Sequence, residues 1–83
     1  ARPRGRAKTF VDEIKSLIER RFPDARFTVT RAPDTRRGVA IWTYTSADYE
    51  DVTDVVAERQ FEIMLEEDVF IYVIPMPLEA HPN

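Results

Sequence analysis

The 83-residue chain contains no cysteine, only two glycines, a single histidine, and no side-chain amide beyond Gln60 and Asn83. Each shortage excludes something. Without cysteine there is neither a disulfide framework nor thiolate chemistry, and the compartment this favours is a reducing cytoplasm. Two glycines leave no glycine-rich phosphate loop. The one histidine, His81, stands in a proline-flanked stretch after the last apolar segment, away from any nucleophile on a rigid element. No apolar run approaches the roughly 18 residues that a membrane span needs, and the first residues lack the apolar core of a signal peptide. The expectation is a non-catalytic cytoplasmic domain with no cofactor and no resident metal.

What is present suits one small folded domain. Hydrophobic residues make up 43% and charged residues 33% of the chain, too apolar for a disordered segment. At this length folding removes only about 60–65% of the unfolded surface, so burial in an oligomer is an advantage. Charge is uneven. Arg2, Arg4, Arg6 and Lys8 form a basic leader, and the remainder has eight basic against fifteen acidic side chains, a net of −7. A basic arm on an acidic body differs from the continuous basic face of a duplex-binding domain.

The pattern predicts five elements. Thr9 with Asp12 suggests a helix start, and Phe10, Ile14, Leu17 and Ile18 form its apolar stripe up to Arg21, where Pro23 ends it. Ala25 to Arg31 alternates as a strand, and Gly38 to Thr45 makes a second, with bulky residues on both faces. Pro33-Asp34 marks the turn between them, giving an antiparallel hairpin. A second helix runs over about 48–66 from a cap at Ser46 or Asp48. Val69 to Ile74 then forms the last strand: six apolar or aromatic residues, four of them β-branched, closed by Pro75.

These spacings predict an α+β fold in the order α-β-β-α-β. It is a two-layer α/β sandwich with a three-stranded mixed sheet and both helices on one face. Residues 1–8 are expected as a flexible leader, 9–77 as the domain and 78–83 as a loose tail. Strand three is expected parallel to strand two, either beside it or across strand one. The order resembles in outline the cytoplasmic tail domains of cation-efflux transporters and half of a ferredoxin-like fold. That resemblance is one of topology and carries no shared motif.

Two helices cover one face of a small sheet, so the other face is the candidate site. If Phe27, Val29, Val39 and Ile41 face the helices, then Trp42, Tyr44, Arg26, Thr28 and Thr30 face away, and strand three adds either Phe70, Tyr72 and Ile74 or Val69, Ile71 and Val73. Contiguous apolar area of this size is unusual on a monomer. The first expectation is therefore a homodimer through the aromatic sheet face or an edge, possibly serving another protein. The second is a single-stranded nucleic-acid binder that stacks bases on Trp42 and Tyr44, with Arg26, Arg31, Arg36 and Arg37 on phosphates. Arg36 and Arg37 are also weak anion-site candidates. Asp54, Glu58 and Glu62 line a helix face as solvated charge rather than as a cation site. Gln60 points into the apolar arc, where it suits a hydrogen bond to backbone at the layer edge.

Overall fold

Good helix formers (Arg4, Arg6, Ala7 and Lys8) precede Thr9, and they carry the first helix well upstream of it. In the computed structural model, which describes residues 3–32 and 38–82, α1 spans Pro3–Arg21. Most of the expected leader is thus helical, and Thr9 is an internal helical residue rather than a cap. Lys8 and Asp12, one turn apart, form an ion pair at 3.1 Å, as continuous helix allows. After Arg21 the chain turns through Pro23-Asp24 into β1 (Arg26–Arg31). It continues through β2 (Gly38–Thr45), α2 (Tyr49–Glu67) and β3 (Phe70–Pro77), with a 3-10 turn over Leu78–Ala80.

The sheet has the order β1-β2-β3, with β1 antiparallel and β3 parallel to the central β2. This settles the placement of strand three beside strand two. β3 runs three residues past the expected stop, because it is an edge strand where Pro75 and Pro77 can turn their missing donors outward. Both helices lie on one face. Val11, Ile14 and Ile18 of α1 meet Val52, Val56 and Ile63 of α2 over Ile41 and Ile71 of the sheet. Val29 shares that face but stays 43% exposed, so the helical cover stops short of the β1 edge.

α2 begins after Asp48, whose side chain makes no cap bond. Ser46, the other expected cap, is engaged elsewhere. Asp24 accepts hydrogen bonds from the Ser46 hydroxyl (2.6 Å), the Thr45 hydroxyl (2.6 Å) and the Ser46 amide (3.2 Å), which tie the α1–β1 turn to the end of β2. These donors, the Ser46 hydroxyl foremost, hold the Asp24 carboxyl below its ordinary value of 3.8. The unfolded chain therefore takes up the proton first, so the tie contributes in full above about pH 4 and is lost as the pH falls through the lower folded value. Asp24→Asn is expected to unfold more easily than the parent at pH 7, with the gap narrowing as the pH is lowered. Urea midpoints of the two chains measured across that range check this, and parallel curves would contradict it.

A second tie joins the helices. Arg59 of α2 grips Glu13 of α1 through two bonds, Nε to Oε2 and Nη2 to Oε1 (3.1 Å), while Nη1 reaches Glu62 at 3.2 Å. Glu13 first and Glu62 second raise the guanidinium pKa further above its already high value. Fork geometry of this kind fixes orientation as well as adding attraction, and here it sets the α1–α2 packing. In sequence Arg59 follows Glu58 of the carboxylate row. It leans toward α1 and still meets Glu62 one turn on.

Candidate interaction surface on the outer sheet face

Strand pairing decides which side chains share the uncovered face. Three cross-sheet rows look away from the helices: Arg26, Tyr44 and Met76; Thr28, Trp42 and Ile74; Thr30, Ala40 and Tyr72. Gly38 and Phe70 add a partial fourth. The expected surface residues Trp42, Tyr44, Tyr72, Arg26 and Thr28 thus lie on one face. β3 contributes Phe70, Tyr72 and Ile74 there, the first of the two sets that alternation allowed, with Met76 in addition.

The face has two unlike halves. At one end the chain folds back after β3. The Leu78–Ala80 turn lies against β2, and the His81 ring meets Tyr44 edge-on at 4.8 Å with an interplanar angle of 75°. Tyr44 is consequently only 7% exposed, and residues 78–82 form a cover rather than a loose tail. Tyr44, expected as a surface anchor, is an internal contact in this arrangement.

The other half is open. Tyr72 is 40% exposed, and Trp42, Phe70 and Ile74 are half-buried around Ala40 at the centre. Trp42 Nε1 donates to Thr30 Oγ1 at 2.9 Å, so the indole's polar handle is satisfied within its own sheet and its ring is left as apolar contact area. Thr30, as the partner that fixes Trp42, was not legible beforehand. The signal was the cross-strand diagonal from residue 42 to residue 30, which needs the register.

Charge gives the face its character. None of its eleven outward strand positions is acidic, although the chain carries fifteen Asp and Glu. The carboxylates Asp51, Asp54, Glu58 and Glu62 sit on α2, on the far side of the sheet. Among these described strand positions Arg26 is the single basic residue, exposed on β1. Arg31 belongs to the opposite parity, in the row of Val39 and Ile71, and so does not serve this face. Arg36 and Arg37 lie outside the described residues.

No protein-family model, curated protein or solved structure matches the chain. The site therefore stands on its own geometry. Among the described residues, no three His, Asp or Glu side chains gather to hold a metal ion, and no helix is long and apolar enough to cross a membrane.

Proposed function

We propose that this chain is a non-catalytic self-association module of the cytoplasm, pairing as a homodimer through the open half of its outer sheet face. The observation that carries the reading is an acid-free aromatic face on an acid-rich protein. Two copies meeting there bury Trp42, Tyr72 and Ile74 against each other and hold their acidic α2 surfaces at opposite ends of the assembly. Like charges thus stay apart while aromatic anchors occupy the centre, where interface energy concentrates. A two-fold contact also gives a domain near the lower size limit the burial it lacks alone.

Supporting the non-catalytic part, the single imidazole is packed edge-on against Tyr44. The absence of cysteine supports the reducing compartment. The dimer serves the cell by scaffolding or regulating another protein.

The β3 edge is the weaker of the two dimer routes. Gln60 Nε2 donates to the Ile71 carbonyl from α2, which places the alternate positions 71, 73, 75 and 77 on the open side of the strand. Two of those four are prolines without a donor. An edge so blunted is a poor template for another strand.

Solution mass by light scattering tests the reading. Twice the 9.7 kDa chain mass is expected over a wide concentration range. A constant single-chain mass at high concentration removes the proposal. The second reading, single-stranded nucleic acid on Trp42, requires indole quenching by an oligonucleotide with affinity falling steeply in salt. With Arg26 the one basic residue among the described positions of the face, no such quenching is expected.

A further inference from the structure

Another apolar surface runs round the β3 edge, from Phe70 and Tyr72 of the outer face to the exposed side of α2. Ala57, Gln60, Phe61 and Met64 of α2 form one wall of a groove, and Phe70, Ile71 and Tyr72 of β3 form the other. Phe61 is 58% and Leu65, one turn on, 65% exposed, so α2 carries large apolar side chains on its solvent pole, where core packing needs none. From the geometry and charge of this groove we infer that it docks an amphipathic helix from a partner protein, with lysine or arginine flanking its apolar stripe.

Three observations select that occupant. The groove cannot be extended as a sheet, because Gln60 occupies the Ile71 carbonyl and Pro75 and Pro77 supply no donors, so the ligand must engage through side chains. The helix beside it carries Glu50, Asp51, Asp54, Glu58, Glu62, Glu66 and Glu67 against one base, Arg59. That base is already held by Glu13 and Glu62. Asp54 and Glu58, within two turns of Phe61 on the exposed side of α2, give the groove one acidic flank, which selects positive charge beside the apolar stripe and raises the encounter rate with it. The same acidic flank disfavours an anionic membrane, a nucleic acid, or the α2 of a second copy. The groove shares Phe70 and Tyr72 with the outer sheet face, but its exposed anchors Phe61 and Leu65 lie on the helical layer, away from Trp42, so loss of the homodimer and loss of this docking are read at different residues.

The probes are two synthetic amphipathic peptides of about four helical turns, one of leucine and lysine, the other with glutamate replacing every lysine. Each is titrated into the full chain and followed by amide chemical shifts. The leucine–lysine peptide is expected to move the signals of Ala57, Gln60, Phe61, Met64 and Leu65, and the leucine–glutamate peptide to move none. The double variant F61S/L65S leaves the charge unchanged and alters exposed positions. It should keep the parent's thermal midpoint and bind the basic peptide at least about tenfold more weakly, a loss typical of interface anchors. Equal binding by parent and double variant would show simple charge attraction and overturn the inference. So would shifts confined to the Trp42 face, equal response to both peptides, or no response. Preferential binding of the parent to phosphatidylglycerol vesicles or to an oligonucleotide through Phe61 and Leu65 would overturn it as well.

Discussion

Tyr72→Glu is expected to convert the dimer into single chains, weakening association by about 30-fold or more, the loss that follows removal of a central aromatic anchor. Tyr72 is 40% exposed in the isolated fold, so its replacement should leave the domain's own packing intact. In the dimer, however, a carboxylate at this point would face its symmetry mate across an apolar contact, where burial of unpaired charge is costly. Far-UV circular dichroism should match the parent while light scattering falls from twice to once the chain mass. Trp42→Ala should weaken association similarly, but it also frees Thr30 Oγ1 from its indole donor and so loosens the β1–β2 pair. Tyr44→Ala gives the contrast: its ring is covered by His81, so the change should lower stability more than association. A Tyr72→Glu chain that keeps the dimer mass would place the contact elsewhere on the surface.

The element types and their order were legible because each rests on local periodicity. Ile14 and Ile18 sit one turn apart, Phe27 and Val29 alternate, and Val69 to Ile74 leaves no reading but strand. Gln60 was legible too: its helical direction aimed a polar side chain at the layer edge, and it donates to the Ile71 carbonyl there. What stayed hidden depends on distances between elements. Strand two is apolar on both faces, so alternation alone could not say whether Trp42 or Ile41 points at the helices. The register does, by placing Ile41 at 0% exposure under both. The fork from Arg59 to Glu13 spans 46 positions, beyond any local pattern. The two ends were misread for a common reason. Pro3 and Gly5 upstream, and Pro77 with Pro82 downstream, are local breakers, and the helical run of Arg4 to Lys8 and the packing of His81 on Tyr44 outweigh them. The groove that Phe61 borders exists only once β3 lies beside α2.

Ile41→Ala should be the most damaging single change to the fold. The side chain is fully buried on the central strand, and both helices pack over it, so neither layer can close the gap without moving the other. Ile-to-Ala losses at such sites reach about 3–5 kcal/mol, against about 1 kcal/mol for Ile41→Val. Native domains hold only roughly 0.05–0.15 kcal/mol per residue, so for a chain this short the alanine loss is comparable to the whole margin. Ile41→Ala is therefore expected to be largely unfolded when dilute. Association alters that outcome in a measurable way, because a dimer contact that binds only the folded chain draws the equilibrium back by mass action. The urea midpoint of Ile41→Ala should then rise with protein concentration, and that rise should vanish when Tyr72→Glu is added. A midpoint that ignores concentration in both chains would separate the core from the outer face, leaving the damage at Ile41 as a property of the single chain and the open sheet face without a copy of itself to cover it.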